Sequence, residues 1–434
     1  MIGLGKRLAE TSPSGRENAV EGFFRLKIGL LGPYGFGNLG DAAIQQAVIE
    51  NIHKHCPGAE IHGFSLNPDD TRRRHGIPCF PFSIDRTGEN FDGLIGKVPT
   101  KLRLHVACRL VVALCKEILL VARSIRYLRG FDLLIVSGGG QLDDYWGGAA
   151  HHPLTLLRWA LVAKAVGARV LFMSVGAGPI DSNLSKRFIK LALSLARYRS
   201  YRDEASKKLI VAIGFRSDDP VYPDLAFSLR SLGTSVPTCQ ISSRPLIGIG
   251  PMTYFDPRIW PERDQSVYAA YLSKLAQFSV WLIRRGYPIA LFPGELVHDR
   301  LVIDDLRDIL SRELNATELS NITDKPIVTV DQLMDQLLLA DIVIASRFHG
   351  VLLALLVGKP VLALSYHSKI DLLMEDTGQS EYCLPIHSFD IEMLKQLFCK
   401  LEANAPTIGE QLKSRVGEYR STLEEQYVRV FKGD

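Results

Sequence analysis

Basic side chains follow two predicted strands in the second half of the chain. Arg347 and His349 come after the strand DIVIA, and Lys369 comes after the strand PVLALSY. Residues two apart on extended chain project to the same side, so we expect Arg347 and His349 to face one sheet edge near Lys369. Such a set can bind a small, multiply charged anion, and the histidine can exchange a proton near neutral pH. Ser346 and Tyr366 complete this predicted binding set, and a purely structural histidine is the alternative.

Three glycine-rich turns follow predicted strands in the first half. Their sequences are GFGNLGD, SGGGQLDD and SVGAGP. Glycine lets the backbone approach a ligand closely, and a helix that follows offers free N–H groups to an anion. The alternative is a set of tight structural turns, with Asp41 as a helix cap. The predicted substrate-binding residues in these turns are Gly37, Asn38, Asp41, Gly139, Gly140, Asp143 and Gly176.

A further arginine, Arg202, ends the predicted strand RYRSYR. Its guanidinium suits forked pairing with a carboxylate or a phosphate. Asp224 is a candidate partner for Arg202, and Asp203 fits a helix cap better than a catalyst.

The elements that must position these residues alternate between strands and helices. Strands are predicted from KIGLL, AEIHGF, DLLIVSG, ARVLFMSVG, RYRSYR, PLIGIG, YPIALFP, DIVIAS and PVLALSY. This alternation favours parallel sheets covered by helices, and the chain length favours two domains. We therefore predict an α/β fold with two Rossmann-like domains that face each other across a cleft. The predicted divisions are a polar extension 1–26, a domain 27–235, a domain 236–405, and a C-terminal helix 406–434 that packs back on the first domain.

Composition narrows the classes of partner. The chain has 434 residues with 51 basic and 47 acidic side chains, a net charge of +4, which argues against general nucleic-acid binding. Seven cysteines occur singly, without zinc-ligand spacing, so a reducing compartment and no metal are expected. The N-terminal sequence does not match a signal peptide, and a cytoplasmic location follows as an expectation.

The segment 101–130 is rich in arginine and carries one acid, Glu117. Lys116 and Glu117 interrupt the apolar run of this segment, and the uninterrupted part of the run is too short to span a bilayer. Two interpretations stay open. One is a helix that contacts an anionic membrane at its inner face, and the other is an internal helix with a solvated basic side.

The ordered motifs resemble those of the polysaccharide pyruvyl transferase family. GPYGFGNLGDAA, DLLIVSGGGQLDD, SVGAGP, YRDEAS, DLAF, SRFHG and GKPVLALSYHSK occur in that family's order and approximate spacing. The resemblance implies a glycosyltransferase B-like architecture, phosphoenolpyruvate as donor substrate, a saccharide acceptor and no metal cofactor. It also implies catalytic roles for Arg202, His349 and Lys369. Relatives often carry an acid where this chain has Ala42, so a contact by that acid is not expected here.

Two other functions remain open from the sequence. A glycosyltransferase of the same architecture would use a nucleotide-sugar donor, with Glu295 and His298 as candidate nucleoside ligands. A non-catalytic scaffold would use segment 101–130 at a membrane surface. The sequence names neither the acceptor sugar nor any lipid attached to it.

Overall fold

The computed structural model describes residues 25–83, 103–145, 147–230, 244–260 and 262–433, with the backbone alone at 103–114 and 116. Within these ranges the chain forms two units. The first contains residues 25–36, 44–225 and 423–433, and the second contains 37–43 and 226–422. The predicted boundary at 235, nearly all of the predicted extension 1–26, and Lys101 lie outside the described residues.

The first unit is built on a parallel sheet. Its described strands are β1 (Lys27–Leu31), β2 (Glu60–Ser65), β3 (Cys79–Pro81), β4 (Leu133–Ser137), β5 (Gly140–Leu142), β6 (Arg169–Ala177) and β7 (Tyr198–Tyr201). They pair in the order β3-β2-β1-β4-β6-β5, and β7 also pairs with β6. Every residue of β4 is buried, as expected when helices cover both faces of a parallel sheet.

Helices separate these strands, and the first of them begins in the second unit. The described helices are α1 (Leu39–His55), α2 (Pro68–His75), α3 (Arg103–Leu128), α4 (His152–Val166), α5 (Asn183–Leu195) and α6 (Glu204–Ala212). Side-chain caps begin several of them. Asn67 accepts a hydrogen bond from the Asp70 amide at α2, and Ser182 accepts one from the Leu184 amide at α5.

The core of the first unit contains aromatic side chains from separate elements. Phe64, Trp159 and Phe172 are buried together with aliphatic residues of β4 and α4. The Trp159 indole N–H donates to the Phe82 carbonyl at 3.1 Å, so its polar atom is satisfied inside the core.

The second unit repeats this design. Its described strands are β8 (Ile247–Gly250), β9 (Ile289–Leu291), β10 (Ile322–Thr323), β11 (Ile342–Ala345), β12 (Val361–Ser365) and β13 (Cys383–Pro385), in the parallel order β10-β9-β8-β11-β12-β13. Its described helices are α7 (Gln265–Arg284), α8 (His298–Glu313), α9 (Ala316–Leu319), α10 (Val330–Leu339), α11 (Phe348–Leu356), α12 (Ser368–Asp376) and α13 (Ile391–Phe431). The last residues of α13, from 423 on, belong to the first unit.

The nine predicted strands and the predicted two α/β domains are confirmed. The short strands β3, β5, β10 and β13 were not predicted, because they carry too few residues to show a pattern. Segment 101–130 contains the helix α3. Among the described residues, no helix combines the length and the apolar character that a membrane crossing needs.

Candidate functional site

One cluster of predicted residues lies at the carboxyl edge of the first sheet. Strands β4, β6 and β7 are parallel neighbours, so their ends share this edge. Gly138 and Gly139 follow β4 with φ of 56° and 65°, a left-handed conformation that favours glycine. The Gly176 amide donates to the Gly139 carbonyl at 2.7 Å. This bond joins the turn that follows β4 to the last residues of β6, because Gly176 lies within that strand and not in the turn predicted from SVGAGP.

Arg202 lies against Gly176, which is hydrogen-bonded to Gly139. A Cβ atom at Gly176 would lie 2.8 Å from Arg202 Nη2, so the guanidinium occupies the space that the glycine leaves. Arg202 Nε donates to Asp203 at 3.2 Å, and Nη1 lies 3.6 Å from the Asp224 carboxylate. The predicted pairing of Arg202 with Asp224 is confirmed.

The two acids beside Arg202 differ in role. Asp203 accepts a hydrogen bond from the Ser206 amide at 2.7 Å and begins α6, which confirms it as a helix cap. Burial raises the pKa of Asp203, but the Arg202 charge and the bonds from Ser206 outweigh it, and the pKa is lowered overall. Asp224 is almost fully buried, so its carboxylate needs the neighbouring guanidinium.

Asp143 and Asp144 contact the turn that follows β6. The Asp143 Cβ would lie 2.9 Å from a Cβ atom at Gly178, and its Oδ2 would lie 3.6 Å from one at Gly140. Asp144 accepts from the amides of Asp181 and Ser182 at 3.2 and 3.0 Å. Asp144 therefore holds a loop, and Asp143 stays the predicted substrate-binding residue.

The segment 37–43, which precedes most of the first sheet in sequence, belongs to the second unit. Leu39 N donates to the Gly294 carbonyl and Leu296 N donates to the Gly37 carbonyl, each at 3.0 Å. Asn38 Oδ1 accepts from the amides of Gly40 and Asp41 at 2.9 and 3.3 Å.

These bonds correct one prediction about the start of α1. The Ala42 amide donates to the Asn38 carbonyl at 3.1 Å, so the amides of residues 39–42 all have protein acceptors. The expectation of free N–H groups for an anion is therefore wrong at this helix. Asn38 caps the helix, instead of Asp41. Substrate contacts by Gly37, Asn38 and Asp41 stay predictions.

His349 packs directly on this segment. A Cβ atom at Gly40 would overlap with Nδ1, Cγ and Cβ of His349. Only a residue without a side chain can therefore occupy position 40 while the imidazole keeps its place. Gly40 lies in the GFGNLGD motif but was not among the predicted binding residues, because nothing in the sequence relates it to a histidine so far along the chain.

Arg347 and His349 do not lie on extended chain, and that expectation is wrong. Strand β11 ends at Ala345, Arg347 is the residue before α11, and His349 lies in the first turn of the helix. The rise and rotation of a helix, instead of strand alternation, set their directions.

Arg347 forms a forked ion pair with Asp299. Its Nε lies 3.1 and 3.0 Å from the two carboxylate oxygens, and its Nη2 lies 2.5 Å from Oδ1. Asp299 is fully buried and also accepts from the amides of Gly294 and Glu295. Burial lowers the pKa of Arg347, but the charge and hydrogen bonds of Asp299 raise it overall above its usual value. Nη1 lies outside this pair.

Asp299 was not among the predicted site residues. Its pairing with Arg347 joins residues 48 apart in sequence.

Glu295 has a structural role within the second unit. Its carboxylate accepts from the amides of Val297 and His298 at 3.0 and 2.6 Å, at the start of α8, and lies 2.9 Å from His298 Nδ1. A carboxylate bound in this way satisfies helix amides. This arrangement disfavours Glu295 as a nucleoside ligand.

Lys369 follows β12, as predicted, and lies in the first turn of α12. Its Nζ is 5.4 Å from the Tyr366 ring centroid and 5.8 Å from that of Phe348, within cation–π range. Ser346 is buried, and its hydroxyl lies 3.2 Å from that of Tyr271. Substrate contact by Ser346 stays a prediction.

The structure divides the predicted residues between its two units. Gly139, Gly140, Asp143, Gly176 and Arg202 lie in the first, and Gly37, Asn38, Asp41, Ser346, Arg347, His349, Tyr366 and Lys369 lie in the second. Within the described ranges, no three His, Cys, Asp or Glu side chains are grouped as metal ligands.

The two parallel-sheet units place the chain in the glycosyltransferase B-like fold class. A glycosyltransferase from Rickettsia africae is 12% identical, with a TM-score of 0.55, and the match covers 94% of this chain and 98% of that one. UDP-GlcNAc 2-epimerase from Neisseria meningitidis is also 12% identical, with a TM-score of 0.56 and coverage of 93% and 100%. At these identities the likeness shows the fold alone.

The chain belongs to the polysaccharide pyruvyl transferase family, whose model matches residues 38–368. It is 22% identical over 390 residues to the amylovoran biosynthesis protein AmsJ of Erwinia amylovora, over 84% of this chain and 89% of that protein. The family predicted from the motifs is confirmed, and with it a transferase of polysaccharide biosynthesis.

Proposed function

We propose that this enzyme transfers the pyruvyl group of phosphoenolpyruvate to a sugar of a polysaccharide or of its lipid-linked precursor, with formation of a cyclic ketal and release of phosphate. The observation that carries the proposal is the family match over residues 38–368. Arg347, His349 and Lys369 support it, because they follow neighbouring strands β11 and β12 of one parallel sheet.

The cations of the second unit suit a donor with a carboxylate and a phosphate. Arg347 stays charged beside Asp299, and its Nη1 is outside that ion pair. Lys369 adds a second positive charge at the next strand end. In a site that excludes water, both would attract the donor more strongly than in bulk solvent.

His349 is the proposed proton donor. It would protonate the methylene carbon of phosphoenolpyruvate, which becomes the methyl group, while one sugar hydroxyl forms a bond to the central carbon and returns a proton to the imidazole. A second hydroxyl of the same sugar then forms its bond to that carbon. The carbon–oxygen bond to phosphate breaks, and the second proton leaves with the phosphate.

Arg202 is proposed to bind an anionic group of a substrate through its guanidinium. Asp203 and Asp224 hold the guanidinium in place, so its direction is set before a ligand arrives. The proposed reaction uses no metal, and dialysis against a chelator should leave turnover unchanged.

The reaction is tested with phosphoenolpyruvate and a panel of sugar acceptors, by phosphate release and by mass analysis for the added three-carbon ketal. His349→Ala should lower turnover by about 10²–10⁴-fold, as for loss of a general acid. His298→Ala is the matched control, since His298 lies in the same unit and is half exposed. Undiminished phosphate release by His349→Ala would remove His349 from the chemistry.

The donor itself is tested by thermal shift. A ligand that binds only the native state raises its melting temperature. Stabilisation by phosphoenolpyruvate is expected, and stabilisation by uridine or guanosine diphosphate instead would favour a nucleotide-sugar donor. The Glu295 carboxylate is already bound by helix amides, which favours the first outcome.

The acceptor and the location are also proposals. A lipid-linked saccharide at the inner face of the membrane would bring the enzyme to that surface from the cytoplasm. A soluble oligosaccharide and the same oligosaccharide on a lipid carrier, compared as acceptors, separate the two cases. A preference of at least several-fold for the lipid-linked form is expected, and equal turnover would contradict it.

A further inference from the structure

Three neighbouring helices of the first unit expose apolar side chains. Helix α4 packs beside both α3 and α5. Each of these exposed apolar residues has a relative solvent exposure between 39% and 59%. They are Ile118, Leu119, Ile125, Leu161, Leu184 and Leu191. We call the exposed apolar and basic side chains of these three packed helices, α3, α4 and α5, the basic-apolar face.

The charges on these helices have nearly one sign. Helices α4 and α5 contain no acid, and α3 contains only Glu117. Glu117 is paired at 3.0 Å with Arg158, whose side chain is almost fully buried. The exposed cations are Arg123, Arg126, Lys164 and Arg187.

This combination predicts the chemistry of the partner. Isolated exposed apolar side chains are ordinary, but a set on adjacent helices marks an interaction surface. Leucine is under-represented among the energetic centres of protein interfaces, where tryptophan and tyrosine dominate. Leucine and isoleucine interspersed with arginine and lysine are typical of helices that lie on anionic lipid, with cations at the headgroups.

We propose that the basic-apolar face binds the surface of an anionic lipid bilayer. Binding there requires neither the donor nor the acceptor of the transfer reaction. The proposal therefore stands or falls separately from pyruvyl transfer.

The test uses co-sedimentation of the full chain with vesicles. Vesicles that mix phosphatidylglycerol with phosphatidylcholine should bind the protein, and phosphatidylcholine vesicles should bind it much more weakly. Because each cation near the surface contributes about a fivefold factor, Arg123→Gln with Arg126→Gln should weaken binding roughly 30-fold. Added salt should weaken the wild-type binding in the same direction.

Variants of the exposed apolar residues test how much these side chains contribute to vesicle binding. Ile118→Ser and Leu119→Ser should each weaken vesicle binding by about tenfold, since each removes an apolar side chain that enters the lipid. Val211→Ser and Arg216→Gln are matched controls, because both residues are exposed in the first unit outside these three helices. Both controls should bind vesicles like the wild type.

Several results would overturn the proposal. One is equal binding to neutral and anionic vesicles, and another is unchanged vesicle binding by the Arg123 and Arg126 variant. A third is a loss of vesicle binding in the control variants as large as that in the variants of the basic-apolar face. A wild-type dimer that Ile118→Ser dissociates in sedimentation velocity, without vesicle binding, would instead assign the face to a second copy of the chain. Unchanged melting temperatures of the variants verify their folding.

Discussion

The closest packing between a glycine and a predicted catalytic residue is that of Gly40 with His349, and Gly40→Ala tests it. The added Cβ would overlap with Nδ1, Cγ and Cβ of His349. Rotation of the imidazole about its first side-chain bond cannot relieve the overlap, because His349 Cβ does not move in that rotation. The backbone of α1 or α11 must shift instead.

The magnitude follows from two opposing effects. Overpacking in a closely packed region costs about 1–3 kcal/mol. Replacing glycine by alanine in a helix stabilises the folded state by at most about 1 kcal/mol through helix propensity, and by less at the first turn. Gly40→Ala should therefore destabilise the protein by about 1–2 kcal/mol, which lowers Tm by roughly 2–4 °C per kcal/mol. Turnover should fall by at least about tenfold, because His349 moves from its position.

Two controls make this result specific. Gly417→Ala lies in α13, where a Cβ meets nothing within 4 Å, so it should stabilise the protein slightly. In a His349→Gly background no side chain remains to clash, so Gly40→Ala should cost little there. Equal destabilisation by Gly40→Ala in both backgrounds would refute the packing argument, whatever reaction the enzyme catalyses.

Three further predictions concern the ion pair, the arginine of the first unit and the pH dependence of stability. Asp299→Asn should destabilise the protein by about 3 kcal/mol in urea denaturation, because it leaves Arg347 without its buried charged partner. It should also raise the KM for the donor, and an unchanged urea midpoint would contradict the prediction. Gly176→Ala should displace the Arg202 guanidinium, raise a substrate KM at least several-fold and lower Tm, because the buried Asp224 loses its partner; unchanged kinetics would contradict it. Burial lowers the pKa of His152 to about 4, so between that pH and 6.5 the unfolded chain binds the extra proton. The free energy of unfolding should then fall by up to ~1.4 kcal/mol for each pH unit of acidification, and His152→Gln should make this pH dependence weaker.

Local patterns made most of the fold predictable. Apolar runs such as LLIVS in β4 and VLALS in β12 are fully buried on both faces, and they are typical of parallel strands between helices. Glycine after β4 and an acid before α6 likewise reflect backbone requirements that involve only neighbouring residues.

The contacts of the candidate site were less predictable. Arg347 and Lys369 could be placed at strand ends because strand ends follow from the apolar pattern. The carboxylate that holds Arg347, however, comes from α8, and its position depends on how β9 and β11 are ordered in the sheet. The bond from the Leu39 amide to the Gly294 carbonyl joins segments far apart in sequence, and it takes up one of the amides that were expected to be free.

The sequence by itself determined the element types, the strand ends that carry the predicted residues, and the family. It could do so because hydrophobic periodicity and turn chemistry are local properties of the chain. Only the tertiary structure decided that residues 37–43 belong with the second unit, that Gly40 makes room for His349, and that α4 packs beside both α3 and α5. These contacts depend on sheet order and helix packing, which bring together residues whose separation in sequence carries no signal.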